Sequence, residues 1–194
     1  MFSVTRNGTE ITGRIGDAAP DVFQRAKDGR NAINNLAGKE KVLRRPDVQK
    51  SIDRFNKGEI GPDEIVTVER LDDGGAIYTK GGVSQRYDAD GFIVVDSKVD
   101  LFLSPNAIGR GKSPTDFNEA NAMLLRQIDG NSDLARQIGL TADNVAELGV
   151  ASRGTAPTGW TWHHHQDIGR LQLVRVSPHN SFAHTGGASI WGGF

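Results

Sequence analysis

All five histidines of this 194-residue chain fall between His163 and His184. Three are consecutive, in Trp160-Thr161-Trp162-His163-His164-His165-Gln166-Asp167. His179 and His184 follow the apolar run Leu171-Gln172-Leu173-Val174. Imidazole is the side chain suited both to binding a metal and to moving a proton near neutral pH. Such a cluster at one end of a chain predicts a metal-dependent active site. Neutral imidazole nitrogen binds Zn²⁺, Ni²⁺ or Mn²⁺. With histidine as the only obvious ligand, water and a substrate oxygen would complete the shell, which marks a catalytic rather than a structural site.

These residues need elements that bring them together. The local pattern predicts a strand from Trp160 to His165, a turn at Asp167-Ile168-Gly169 and a second strand from Leu171 to Val174. Ser177 then caps a helix from Pro178 to about His184, which Gly186-Gly187 stop. Two hairpin strands followed by a helix can bring His163–His165 beside His179. Alternation along a strand puts His163 and His165 on one face and His164 on the other. His163 and His164 can serve together only if the strand ends, bulges or twists there. The rival arrangement puts His163 and His165 on the metal and leaves His164 structural. On a continuous helix His179 and His184 sit about 140° apart, so both reach one ion only if the helix frays near Thr185.

Further upstream, Pro20 opens a helix to about Leu36, ended by Gly38. Pro46 opens a second through Ile52 and Phe55, closed by Gly58. Glu64–Val68, Ala76–Thr79 and Phe92–Val95 are β-rich runs separated by Asp72-Asp73-Gly74-Gly75, Gly81-Gly82 and Asp90-Gly91, which predicts a β-meander over 63–97. From Ser113-Pro114 the apolar residues Phe117, Ala120, Met123, Leu124 and Ile128 repeat at helical spacing. Asn131-Ser132-Asp133 and Thr141 are N-caps of two shorter helices, the second ended by Gly149. Residues 151–159 form a linker-like loop. The class is α+β, with an unassigned N-terminal part (1–110, helices then β-meander) and a C-terminal part (111–194) carrying the histidine motif at 159–187.

Composition narrows the function. There is no cysteine, which excludes disulfides, thiolate zinc sites and thiol nucleophiles. No stretch approaches the roughly 18 apolar residues of a membrane span, and the N-terminus lacks a secretory apolar region. Net charge is −1, which argues against tight, sequence-independent duplex binding by the whole surface. Charge is uneven: residues 51–100 are acidic, and the histidine-bearing end is locally positive through Arg153, Arg170 and Arg175. Gly109-Arg110-Gly111-Lys112-Ser113 is no phosphate loop, because Asn106 stands where the first glycine is required. Asn7-Gly8-Thr9 matches a glycosylation sequon with no other secretory signal beside it. Trp160, Trp162 and Trp191 read as packing residues.

The segment Gly159-Trp160-Thr161-Trp162-His163-His164-His165-Gln166-Asp167, continued by Gly169-Arg170-Leu171-Gln172-Leu173-Val174, His179 and His184-Thr185-Gly186-Gly187, resembles the HNH/endonuclease VII nuclease superfamily. It is most similar to the branch with a Trp-His-His signature, related to the nuclease domains of colicin-like bacteriocins. The resemblance is strong over 159–187 and fainter over 117–149. It implies a ββα-metal (His-Me finger) module that hydrolyses phosphodiesters with one divalent cation, whether Mg²⁺, Mn²⁺, Zn²⁺ or Ni²⁺. It also implies that His163 and His179 are metal ligands, that His164 is the general base, and that His184 ligates metal or touches the scissile phosphate. Asp167 orients an imidazole or braces the turn. Arg170 and Arg175 lie outside the signature and are candidate phosphate contacts.

By the same resemblance the substrate is DNA, with RNA (tRNA included) as the alternative. The protein would be an antibacterial toxin with a cognate immunity protein. It would be exported by a specialised secretion route or as part of a larger carrier, and would act in the cytoplasm of a target cell. A non-catalytic module stabilised by metal is the reading from a different class.

Overall fold

The structure, a computed structural model, describes residues 2–6, 9–13, 45–104, 107–108, 113–150, 154–184 and 186–191. The helix expected over Pro20–Leu36 lies outside these residues, as do Asn7-Gly8 of the sequon, Gly109–Lys112 and the start of the expected 151–159 loop. The first described elements are β1 (Phe2–Arg6) and β2 (Thr9–Gly13), an antiparallel pair. Helix α1 (Val48–Asn56) follows Pro46 as expected. The Asp47 carboxylate accepts from the Lys50 amide as its N-cap, and Gly58 leaves the helix in the left-handed region, at φ 71°.

The β-meander is present, with four strands rather than the three apolar runs marked in the sequence. They are β3 (Thr67–Arg70), β4 (Ala76–Lys80), β5 (Val83–Tyr87) and β6 (Ile93–Val94), antiparallel and in chain order. Strand β5, Val83-Ser84-Gln85-Arg86-Tyr87, is half polar, which hides it from an apolar-run reading. Its Gln85 and Tyr87 point inward and its Ser84 and Arg86 outward. Val66, Ala76, Tyr78, Tyr87 and Ile93 form the meander's core, and Phe182, far along the chain, joins them.

The second sheet has the order β7-β9-β8, built from β7 (Val99–Phe102), β8 (Trp160–His164) and β9 (Arg170–Arg175), all antiparallel. Strand β7 comes from the N-terminal side of the 110/111 division drawn from the sequence, so this sheet draws on both sides of it. Strand β9 is central, and Leu171, Gln172, Leu173 and Val174 are all buried. Against the sheet lies α2 (Ser113–Gly130), followed by α3 (Leu134–Ile138) and α4 (Ala142–Leu148). Thr141 and Asn144 form a reciprocal capping box at the start of α4. Ala120, Leu124, Leu134, Ile138 and Leu148 from the helices pack with Val99, Leu101, Leu171, Leu173, Trp160 and Trp162 from the sheet.

After β9 the structure departs from the expected helix over Pro178–His184. Only one irregular turn forms, α5 (Val176–His179), with Ser177 extended at φ −101°, ψ 122°. The chain then leaves the helical path because Phe182, only 4% exposed, is buried in the meander's core. A last turn, α6 (Ala188–Trp191), closes the described chain.

Candidate metal centre

The β8–β9 hairpin divides its side chains between two faces. Trp162 and His164 face α2: the Trp162 indole N–H donates to Asn121 Oδ1 at 2.8 Å, and His164 Nε2 lies 3.1 Å from Asp116 Oδ2. The spacings agree, because two residues of strand and five of helix each advance about 7 Å. Thr161 and His163 take the opposite face, and there His163 meets His179 and His184.

This trio is the centre of the site. His163 Nδ1 lies 3.2 Å from His179 Nε2 and 3.1 Å from His184 Nε2. One ligand atom from each of the three residues falls within 4.8 Å of the others. The two outer rings are held by their other nitrogens. His184 Nδ1 donates to the Phe182 carbonyl at 3.1 Å, and His179 Nδ1 to Asn180 Oδ1 at 3.0 Å. Each donation leaves Nε2 with a lone pair aimed at His163. A hydrogen bond from the other ring nitrogen is what orients metal-binding histidines.

A single Nδ1 has either one proton or one lone pair, so it cannot serve two such neighbours as a hydrogen-bond partner. A cation among the three nitrogens satisfies all of them at once. Ligands 2.0–2.1 Å from a tetrahedral centre stand about 3.3 Å apart, close to the two separations from His163 Nδ1, 3.2 and 3.1 Å.

Electrostatics keeps these rings neutral and therefore ready to ligate. Burial pushes His163 down to about 2, and the neighbouring His184 and His179 add to the effect. Burial also lowers His179 and His184, against the opposing hydrogen bonds to Asn180 and the Phe182 carbonyl. Three imidazoles are a donor set that a divalent transition metal fits, and three protein ligands is the count at catalytic rather than structural zinc sites.

The obstacle to His184 seen in the sequence disappears with the helix. His179 ends α5, and the Asn180–Ala183 segment carries His184 back to the same point. Gly187 explains the glycine pair that follows. A Cβ there would stand 1.8 Å from the His165 carbonyl oxygen and 2.7 Å from that of His164. The Gly187 amide donates to the His164 carbonyl, and the Trp191 indole to the His165 carbonyl at 2.7 Å. The glycine read as a helix stop is thus a seat for the end of β8.

His165, Asp167 and Arg170 form a separate network at the hairpin turn. His165 Nδ1 accepts from the Asp167 amide at 3.0 Å and lies 3.2 Å from the Asp167 carboxylate. Arg170 donates to Asp167 at 3.2 Å and to Asp100 at 2.6 Å. The neighbouring His165 imidazole is the main influence holding the Asp167 carboxyl below its usual range, against its partial burial and with help from Arg170. Burial alone would raise the Asp100 carboxyl, but hydrogen bonds from Ser97, Arg170 and Gln172 outweigh it and hold it low. Arg175 lies over the Trp160 ring, 3.8 Å from its centre, and donates to the Gly139 carbonyl. Both guanidinium groups named as candidate phosphate contacts are therefore engaged within the protein.

Sequence reasoning missed Asp116. This carboxylate is 1% exposed, and its second oxygen has no partner among the described residues. A signal was available: Asp116, Ala120 and Leu124 step by four along α2, which puts an acid in the buried stripe. Nothing in the sequence marked Asn180 or Phe182.

Comparison with known proteins bears on the same segment. Residues 152–194 match the model of a family described as WHH, a nuclease of the HNH/ENDO VII superfamily with conserved WHH. The matched region contains Trp162-His163-His164. No curated protein and no solved structure matches the chain.

Proposed function

We propose that this chain, whose residues 152–194 match the model of the WHH nuclease family of the HNH/endonuclease VII superfamily, hydrolyses DNA phosphodiesters with one divalent cation held by His163, His179 and His184. The observation that carries the reading is the convergence of three neutral imidazoles in the matched region. When bound, such a cation supplies Lewis-acid stabilisation of the charge that develops on a phosphodiester.

The remaining roles belong to the chain's own side chains. The Asn180 and Phe182 oxygens fix the ring orientations of His179 and His184. Asp116 accepts the Nε2 proton of His164 and so leaves Nδ1 as the basic nitrogen. In this reading His164 removes a proton from the attacking water, a step worth about 10²–10⁴-fold. Asp116 positions that ring much as the carboxylate of a catalytic triad positions its histidine. Asp167 and Arg170 brace the turn that ends the hairpin.

The resemblance to bacteriocin nuclease domains extends the proposal to biology. The protein acts as an antibacterial toxin, delivered into a target cytoplasm by a secretion system or a carrier, with an immunity protein in the producing cell. Among the described residues no helix is long and apolar enough to cross a membrane.

One observation favours a second reading of His164. It is 8% exposed and faces away from the trio, as a purely structural histidine would. The test takes wild type, His163→Ala and His164→Ala and digests plasmid and total RNA with Mg²⁺, Mn²⁺, Zn²⁺ or Ni²⁺. The proposal expects plasmid cleavage by wild type and by neither variant. Cleavage of RNA alone replaces DNA as the substrate. Undiminished cleavage by His164→Ala makes that residue structural. A metal-dependent melting temperature without cleavage by wild type replaces the nuclease with a binding module.

A further inference from the structure

A groove of about 930 Å³ lies between α1, the β-meander and residues 181–183. We propose that it is a second, metal-independent binding site for the sugar-phosphate backbone of the nucleic acid, with Lys50, Arg54 and Lys80 as its phosphate contacts. The inference rests on the nuclease reading and extends it, because it says where the polymer runs once it leaves the histidines.

Residues Ser181, Phe182 and Ala183, which form one wall, are part of the segment that joins His179 to His184, so the groove and the trio share a stretch of chain. The groove is also held in shape. The Ser51 hydroxyl donates to the Val48 carbonyl and accepts from the Val66 amide at 3.0 Å, which pins α1 to the start of the meander. Phe182 sits in the meander's core and pins the opposite wall. Both walls share one hydrophobic anchor with the loop that carries the metal ligands.

Lys50 and Arg54 lie one turn apart on the same side of α1, and Lys80 stands on β4. Lys50 makes no ion pair among the described residues. Arg54 pairs with Glu59 at 3.3 Å and Lys80 with Glu64 at 3.9 Å, with all four side chains substantially exposed. Exposed pairs of this kind exchange readily for a phosphate. The lining holds four bases, Arg45, Lys50, Arg54 and Lys80, against three acids, of which Asp47 is the N-cap of α1, Glu64 pairs with Lys80 and Asp90 is exposed. An open groove of this size, with an excess of one basic residue among its charged lining, suits an extended polyanion better than an enclosed small molecule.

The test measures binding without cleavage. Fluorescence anisotropy in EDTA follows a short labelled DNA strand, its duplex and the RNA of the same sequence. Wild type is compared with the triple variant K50A/R54A/K80A, with the charge-keeping variant K50R/R54K and with R136A, which changes an exposed arginine outside the groove. The triple variant should bind about tenfold or more weakly, and its dependence of log Kd on log salt should be shallower by about two to three. K50R/R54K and R136A should bind as wild type does, and the polymer bound most tightly identifies the substrate.

Unchanged affinity and salt slope in the triple variant would overturn the proposal, as would an equal loss in R136A or a loss in K50R/R54K. Wild type that binds through these residues and cleaves nothing would leave the groove standing and end the nuclease reading. Wild type that cleaves, beside a triple variant that still binds fully, would do the reverse.

Discussion

His163 and His165 stand two residues apart at one end of the same hairpin, and their surroundings give them opposite character. His165 meets the Asp167 amide and carboxylate and the Arg170 guanidinium, and Arg170 in turn reaches Asp100. Its polar neighbours carry both signs, and the network closes on itself. Among the described residues, the polar contacts of the His163 ring are with the Nε2 atoms of His179 and His184, each already committed to a lone pair. That group is short of a positive charge. A histidine beside acids and arginines is structural, whereas histidines whose lone pairs converge in a buried place call for a cation.

His164, between the two, has a third character, paired with the buried Asp116 on the other face of the strand. His164→Ala should lower nuclease activity by about 10²–10⁴-fold while metal affinity stays as in wild type. Asp116→Asn should lower activity to a smaller degree, again with metal bound. If both variants lower only the melting temperature, the pair is a core contact and nothing more.

Gly187→Ala should break the metal-binding side. Its Cβ would collide with two backbone oxygens at the end of β8, and rigid backbone cannot yield as a flexible side chain can. A loss of about 3 kcal/mol or more in denaturant unfolding, with weakened metal binding, is expected. Unfolding and binding like wild type would show that the glycine contact is dispensable.

Acid should also separate the two groups. Above about pH 6.5 the buried imidazoles are neutral in both folded and unfolded chains. Below it the unfolded chain takes up protons that the folded trio refuses, since His163 is pushed down to about 2 and His179 and His184 are lowered. The metal-free protein should therefore lose stability as pH falls from about 6.5, by up to about 1.4 kcal/mol per pH unit for His163 alone. A flat stability profile between pH 7 and 5 would deny the burial of these rings.

The smallest effect is expected at the turn. Asp100→Asn removes the charge opposite Arg170 and should cost about 1–3 kcal/mol, while metal affinity is unchanged. A large loss of metal affinity in this variant would join the two networks that the structure keeps apart.

The hairpin itself was legible, because Trp160–His164, the Gly169 turn and Leu171–Val174 are a local pattern. So was α2, through its apolar period, and the Thr141 cap of α4. What escaped depends on distant partners. The course of the chain after His179 is decided by Phe182 entering a core that Val66 to Ile93 assemble, and helix propensity around Pro178 carries no trace of that. Asp116 lies almost fifty residues from His164, so only its intrusion into the buried stripe of α2 could have marked it. Strand β7 is too short to announce itself, and pairing with β9 is what makes it a strand. His184, the candidate ligand hardest to justify on a regular helix, is brought beside His163 by the very departure from that helix.

The central claim is that His163, His179 and His184 hold one cation. Titrating metal-free wild type and His163→Ala with Zn²⁺ or Ni²⁺ in a calorimeter tests it most directly. One ion should bind per wild-type chain, with affinity weakened by about 10²-fold or more in the variant. Equal binding by the two proteins, or no binding by wild type, would contradict it.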